Sequence, residues 1–408
     1  MSVVPYIITV LAFAVLYFSN SNPDNEMYAG LLCLSLAVTG VVHWLMMRNR
    51  CYTTEYLGSI VVELFHEDSW TEIVIRKEKE FCGYDSNGKM EYRTVEREEY
   101  IYHPAIWKML TSIGSSIDID RSEFYNIVDV WQTPKHPFSI TGDEIQGGIR
   151  FGKRYRFSDV TEELEENGEN PLFNEALRKR TYTVTETHKY KNKVRNSNSI
   201  FKFEEVKEDD VNRLGLRDYP TICDDYDQSP VVGTSGYAID GEIDELYRTF
   251  NAYYGSIYEI HVFVLLFDAS KGVETAQKQQ AYWKGGNKNE FVVCLGITDD
   301  EVKWCYTFSW MDEPTLGVKT EGYFRENTEL DLKSYLYWLI DNINYWKRKE
   351  FADFDYITVN LTTAQIIWLT LITIVVNVLL MYYVLIPDIK KDSSQEMIEN
   401  EYYYENIY

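Results

Sequence analysis

Hydrophobic residues are concentrated in three segments of the chain, two close to the N-terminus and one near the C-terminus. They run from Val3 to Phe18, from Ala29 to Met47 and from Ala364 to Ile386. A bilayer core about 30 Å thick takes roughly 20 residues of helix. The second and third segments have this length, whereas the first is marginal and needs its aromatic ends near the interfaces. The pattern predicts an N-terminal transmembrane helical hairpin and a C-terminal transmembrane helix.

Basic residues near the ends of these segments predict the orientation of the long polar stretch between them. Those on its side are Arg48, Arg50, Lys347, Arg348 and Lys349, against Lys390 and Lys391 beyond the third segment. The N-terminus lacks the basic region and cleavage site of a secretory signal. We therefore expect a multi-pass protein of the cell membrane whose main domain lies in the cytoplasm.

The polar stretch begins with alternating positions that predict long antiparallel strands between residues 56 and 103. Asn87-Gly88 is a strong hairpin signal, because both turn positions favour positive φ. Ser122 to Trp131 has helical spacing, with Ser122 as the expected N-cap. Thr181 to Arg195 alternates again and places four basic residues on one face: Lys189, Lys191, Lys193 and Arg195. This row fits an acidic partner or a solvated strand face, and the second is favoured.

The pattern changes after a stretch rich in aspartate and glycine, residues 221–241. Helices are expected at Ile243 to Tyr254, Val273 to Trp283 and Thr328 to Trp346, the last capped by Thr328. The expected strands are Ile257 to Phe267, Phe291 to Ile297 and Val302 to Ser309. The predicted fold class is α+β. Its divisions are two transmembrane helices (1–50), a β-rich part (51–220), a linker (221–241), an α/β part (242–361), a transmembrane helix (362–387) and an acidic, tyrosine-rich, disordered tail (388–408).

The last two strands predict a hairpin with a definite register. If Asp299 and Asp300 are the two turn residues, Cys294 lies directly opposite Cys305, with Cβ atoms about 4.5–5.5 Å apart. The same register places Phe291, Val293, Leu295 and Ile297 on one face with Val302, Trp304, Tyr306 and Phe308. Two free thiols in a structural role are expected there.

Composition narrows the classes of function. A net charge of −24 disfavours nucleic-acid binding, which needs a basic surface. The 33 tyrosines favour sheet packing, and the six cysteines are too few and too scattered for a disulfide scaffold or a zinc site. The expected partners are therefore the lipid bilayer and other membrane or cytoplasmic proteins.

Two short acidic motifs contain residue types that could ligate a metal. Asp268-Ala269-Ser270 follows an apolar strand, as in metal-dependent adhesion sites, but Gly272 replaces the second serine. Asp224, Asp225 and Asp227 lack the spacing of a calcium loop. A capped turn and a solvated linker are the favoured interpretations. The sequence thus predicts no catalytic, cofactor-binding or metal-ligating residue, and it favours a protein that is not an enzyme.

Four segments resemble a group of uncharacterised membrane proteins of bacteria and their phages: Tyr102-His103-Pro104 with Trp107, then residues 186–194, 215–220 and 281–290. This resemblance implies a bacterial or phage setting and supplies no active-site residues. The turn Gly285-Gly286-Asn287-Lys288-Asn289, between a helix and a strand, is similar in architecture to the small TPM domain of some membrane-tethered proteins and acid phosphatases. A helix C-cap explains the same glycines.

The expected function is protein interaction or scaffolding at a membrane. A TPM-like membrane-tethered hydrolase is the alternative, and it requires carboxylates that converge near Gly285 to Asn289. A membrane sensor is a third class, in which a ligand shifts the third apolar segment and Asn377 serves helix pairing.

Overall fold

The computed structural model describes residues 3–19, 25–84, 86–131, 138–141, 151–156, 170–197, 203–220, 229–233, 237 and 239–382. The mixed α+β class is confirmed, with an apolar helix towards each end of the chain. The chain divides into two compact units. The first combines residues 1–53, 189–202 and 351–408, and the second combines 54–188 and 203–350.

Ten helices longer than a single 3₁₀ turn are numbered here among the described residues. They are α1 (Val4–Ser19), α2 (Asn25–Cys51), α3 (Arg121–Trp131), α4 (Glu175–Arg178), α5 (Glu208–Leu214), α6 (Gly241–Tyr258), α7 (Glu274–Tyr282), α8 (Thr315–Glu326), α9 (Leu332–Asp341) and α10 (Thr363–Tyr382).

The described strands form three sheets. They are β1 (Tyr52–Glu67), β2 (Trp70–Tyr84), β3 (Met90–His103), β4 (Ile106–Thr111), β5 (Ser116–Asp118), β6 (Phe138–Thr141), β7 (Phe151–Arg156), β8 (Thr183–Lys191), β9 (Val231–Val232), β10 (His261–Asp268), β11 (Glu290–Thr298) and β12 (Glu301–Ser309).

In the first unit, α2 and α10 are long and apolar enough to cross a membrane, whereas α1 has only 16 residues. Large apolar side chains on all three helices are exposed within the protein. They include Val10, Leu11, Val41, Leu45, Leu371, Val375, Val378 and Leu379. These helices therefore carry an apolar outer surface rather than the polar one of a water-soluble bundle.

The second unit begins with a six-stranded sheet in the order β5-β4-β1-β7-β6, to which β8 adds by pairing with β1. Helix α3 covers this sheet with Phe124, Ile127 and Trp131, all fully buried. The expected helix is confirmed, but its cap is Asp120, which accepts a hydrogen bond from the Glu123 backbone N–H at 2.8 Å. Ser122 lies inside the first turn instead.

Strands β2 and β3 form a two-stranded ribbon around the turn at Asn87-Gly88, as the sequence predicts. We call residues 70–103 the arm. Its register continues that of the β1–β4 pair, because Glu67 pairs with Ile106 before the break and Trp70 pairs with His103 after it. The break coincides with Pro104, which has no N–H to donate to a ladder.

The rest of the second unit is a four-stranded sheet in the order β12-β11-β10-β9, parallel except for the antiparallel edge strand β12. Apolar clusters cover both faces, as buried strands of this kind require. The helix expected at Thr328 to Trp346 is confirmed only as the shorter α9, on which Leu332, Leu336 and Leu339 form a buried apolar stripe. Asp331 caps this helix by accepting from the Ser334 N–H at 2.9 Å, so the cap expected at Thr328 is wrong.

The β11–β12 hairpin turns at Asp299 and Asp300, both with positive φ, as expected. The predicted register is wrong further from the turn, because an irregularity between Gly296 and Ile297 shifts it by one residue. Cys294 consequently lies opposite Tyr306, and the two thiols lie in different apolar clusters. Trp304, Tyr306 and Phe308 share the face of Cys294. Of the four β12 residues expected on the same face as Phe291, only Val302 packs in the apolar cluster that contains Phe291.

Candidate functional sites

Small polar side chains form the centre of the helices in the first unit. The Asn377 side-chain amide donates to the Thr9 hydroxyl at 3.3 Å, and the Ser35 hydroxyl donates to the Asn377 Oδ1. The Thr39 and Thr373 hydroxyls are 3.3 Å apart. All five residues are buried. A polar centre with an apolar exterior is typical of helices packed in lipid, where hydrogen bonds and close contacts replace the hydrophobic effect.

The loop after α7 has an unusual backbone. Lys284, Gly285 and Gly286 have φ values of 54°, 80° and 76°. A Cβ on Gly286 would lie 2.7 Å from the Glu290 Oε2, so this glycine lets the glutamate side chain fold back over the loop. Glycine at this point is therefore required by a close contact as well as by its φ.

Glu290 is the centre of a buried polar network. Its carboxylate accepts the Asn287 backbone N–H and the Asn287 side-chain amide, each at 2.8 Å, and the Tyr219 hydroxyl. Burial and the neighbouring Glu290 carboxylate raise the pKa of Tyr219 well above its usual value. Three donors thus converge on one buried carboxylate and hold it in place. The geometry gives Glu290 a structural role.

A second buried carboxylate, Glu55, forms ion pairs around the same loop. Its oxygens lie 3.3 Å from the Lys288 Nζ and 3.6 Å from an Arg348 guanidinium nitrogen. Arg348 also pairs with Glu259, so one cation joins two carboxylates. Burial raises the pKa of Glu55, and the charges of Lys288 and Arg348 oppose that rise. The pairing compensates part of the cost of placing Glu55 away from water.

His261 is buried at the start of β10, and its Nδ1 has no hydrogen-bond partner among the described residues. Burial lowers the pKa of His261 to about 4. The unfolded chain binds this proton near pH 6.5 and the folded chain only near pH 4. Stability should therefore be full above pH 6.5, fall between these values by on the order of 3 kcal/mol, and level off below them.

We expect His261→Gln to flatten this acid limb. Urea midpoints of the full chain in detergent would be measured from pH 7 to pH 4 for both proteins. Glu55 contributes the opposite slope, because its raised pKa favours the fold at low pH. The comparison with His261→Gln isolates the histidine. An equal slope in the two proteins would show that His261 is not responsible.

The first of the two acidic motifs, Asp268-Ala269-Ser270, lies at the end of β10 and forms a capped turn. Asp268 caps a short 3₁₀ turn by accepting from the Ser270 N–H at 2.9 Å, which is the favoured interpretation. Among the described residues, no group of three or more histidine, cysteine, aspartate or glutamate side chains is placed to hold a metal ion. Asp224, Asp225 and Asp227 and the tail at 388–408 lie outside those residues.

The four basic residues do not share one strand face as expected, because β8 ends at Lys191 and Arg195 lies in a 3₁₀ turn beyond it. Three of the four have partners in their own unit. Lys191 pairs with the Asp355 carboxylate at 2.8 Å, and Lys193 donates to the Asp355 carbonyl. Arg195 donates to the Thr53 hydroxyl at 3.0 Å. These contacts favour a structural role over the binding of an acidic partner.

The two faces of the arm differ in chemistry. One face carries cross-strand ion pairs between arginines and glutamates: Arg76–Glu99, Arg93–Glu80 and Arg97–Glu78. The other face, which we call the aromatic face, has apolar groups at both ends. Those near the root are Ile73, Ile75, Tyr100 and Tyr102, and those at the tip are Phe81, Tyr84, Met90 and Tyr92.

A bulge concentrates the apolar groups at the tip of the arm. Phe81 and Tyr84 are three positions apart, and a regular strand would point them to opposite faces. The register shifts between Phe81 and Gly83, so both rings lie on the aromatic face, with centroids 5.3 Å apart. Tyr92 joins them at 5.9 Å from Phe81. The tip side chains are about half exposed, from 49% for Phe81 to 63% for Tyr84.

Sequence reasoning missed both the Glu290 network and the aromatic face. Tyr219 and Glu290 are 71 positions apart, so no local pattern joins them. Between residues 73 and 102, alternate positions place the aromatic side chains on one face of the predicted strands. That pattern could have identified the aromatic face. No family model matches the chain, and no curated protein or solved structure matches it. Function is therefore inferred from the residues of this chain alone.

Proposed function

We propose that the chain is a multi-pass protein of the cell membrane whose large cytoplasmic part serves protein interaction or scaffolding. The observation that carries the interaction function is the arm. Within the described part of the chain, its strands pair only with each other, and one face exposes aromatic side chains. An isolated two-stranded ribbon is marginally stable in water, and an exposed apolar surface of this kind marks a contact site.

The membrane part of the proposal is supported by α2 and α10 and by the buried polar centre that includes Ser35 and Asn377. Lipid on the outside explains why the apolar side chains face outwards and the hydroxyl groups face inwards. The resemblance of residues 186–194 and 281–290 to bacterial and phage membrane proteins is consistent with this setting. The TPM-like hydrolase gains no support from Glu290, whose carboxylate is occupied by structural donors.

Topology is tested by thiol labelling in intact bacterial cells. Cys82 lies exposed in the arm. A cytoplasmic arm should leave it unreactive towards an impermeant maleimide until the cells are permeabilised, because the reagent does not cross the bilayer. Ser394→Cys, beyond the third apolar segment, is the matched control and should react in intact cells. Ready labelling of Cys82 in intact cells would contradict the cytoplasmic assignment.

Interaction is tested by photocrosslinking in the membrane. A benzophenone amino acid at Tyr84, on the aromatic face, should give covalent protein adducts of the full chain. The same group at Glu78, on the ion-pair face of the arm, should give far fewer. If Tyr84 yields no protein adduct, the arm is not an interaction surface.

A further inference from the structure

The charged residues of the aromatic face are sorted by strand. Those on β2 are lysines, Lys77 and Lys79, and those on β3 are glutamates, Glu96 and Glu98. Within one arm, the Lys77 Nζ lies 3.2 Å from the Glu96 carboxylate, and both side chains stay exposed. These four residues separate the apolar groups at the root from those at the tip. The ion-pair face differs, because each of its strands carries both arginines and glutamates, as in Arg76–Glu99 and Arg97–Glu78.

The charges on the aromatic face of one copy are complementary to those on the same face of a second copy. A two-fold axis along the arm places β2 of one copy over β3 of the other, which brings Lys77 over Glu96 of the second copy. The same rotation sets tip on tip and root on root, so Phe81 of each copy meets Tyr92 of the other. An interface related by a two-fold axis needs such a self-complementary patch. Long charged side chains on a ribbon only two strands wide keep their ends at the solvent-exposed rim.

We propose that the aromatic face of the arm binds the same face of a second copy of this chain. This rests on the proposed interaction function and names its partner. The contact covers the exposed apolar groups and adds packing to a ribbon that is marginal alone. Anchoring two copies in one bilayer raises their effective concentration and so favours the contact. Opposite charges in the middle of the face fix the register and disfavour unlike partners.

The test uses the full chain, carrying two different epitope tags, co-expressed in one membrane. A benzophenone amino acid at Tyr92 should give a product that contains both tags. Lys77→Glu with Lys79→Glu makes the middle of the face uniformly acidic. Glu96→Lys with Glu98→Lys makes it uniformly basic. Each double variant, expressed alone with both tags, should lose about tenfold or more of the product, because like charges then oppose each other.

Co-expression of the two double variants, one with each tag, should restore the product, since acidic and basic faces then meet. Restoration also shows that both variants fold. The matched control is Arg93→Glu with Arg97→Glu, which makes the same charge change on the ion-pair face and should leave the yield unchanged.

The outcomes separate this proposal from the interaction function. Failure of the mixed pair to restore the product would overturn self-association, as would an equal loss in the control. Adducts that contain another protein but never the second tag would also overturn it and would leave the interaction function standing. Absence of any protein adduct from Tyr84 and Tyr92 would overturn both.

Discussion

Replacing Glu290 with alanine is expected to destabilise the second unit by about 3–5 kcal/mol. The glutamate is 1% exposed, and its removal leaves the Asn287 N–H, the Asn287 amide and the Tyr219 hydroxyl without their common acceptor. Each buried donor left without a partner costs about 1–3 kcal/mol. Pulse proteolysis in urea, on the full chain in detergent, would show the change as a lower midpoint.

Two further substitutions separate the parts of this network. Tyr219→Phe removes one donor to Glu290 and the acceptor of one Asn287 amide hydrogen bond at 3.0 Å, but that amide keeps its bond to Glu290. It should therefore cost less than Glu290→Ala, about 1–2 kcal/mol. Glu290→Gln keeps the shape but brings its own N–H groups among donors, and its cost should lie between the other two. A Glu290→Ala protein with the midpoint of the unsubstituted chain would contradict a structural role and would reopen the catalytic one.

Short sequence patterns predicted much of the fold, because the residues that determine those elements are close together in the sequence. The apolar segments, the Asn87-Gly88 turn and the stripe on α9 each depend on residues that are close in sequence. The N-caps predicted for α3 and α9 were misplaced, because serine, threonine and aspartate all cap helices well. The aspartates at 120 and 331 take that position, and the neighbouring hydroxyl residues do not.

The failed register of β11 and β12 has a specific cause. The ring of Trp304 lies over Gly296, where a Cβ would come within 2.0 Å of the indole. The chain accommodates this ring with the irregularity next to Gly296, which moves Cys305 away from Cys294. A turn sequence fixes the pairing only up to the first such irregularity. The Glu290 network was hidden for another reason, since it joins residues from distant parts of the chain.

The contact between β1 and α6 shows how a distant pair constrains one position. A Cβ on Gly58 would lie 2.4 Å from the Asn251 carbonyl oxygen, which is far inside van der Waals contact. On the opposite side, a Cβ on Gly255 would lie 3.0 Å from the Gly58 carbonyl oxygen. The strand and the helix thus approach through two glycines. The contact therefore joins β1 of the six-stranded sheet to α6, the helix that covers the four-stranded sheet.

We therefore expect Gly58→Ala to destabilise the second unit by about 3 kcal/mol or more, as overpacking against backbone does. Relief by a shift of α6 is blocked, because the Asn251 side chain bonds both the Val262 N–H at 2.8 Å and the Val262 carbonyl at 3.1 Å. Any movement of the helix at this point breaks its attachment to the central strand β10. Urea pulse proteolysis of the full chain would show the loss as a lower midpoint.

Gly322→Ala is the matched control for this substitution. Gly322 lies in α8, no atom beyond its own stretch of helix lies within 4 Å of the position that a Cβ would take there, and its φ is not positive. Alanine there should leave stability unchanged or raise it by about 0.5–1 kcal/mol, because it favours helix. If both substitutions lower the midpoint equally, the effect belongs to glycine loss in general. If Gly58→Ala has no effect, β1 and α6 are not held at the close distance that the two glycines permit.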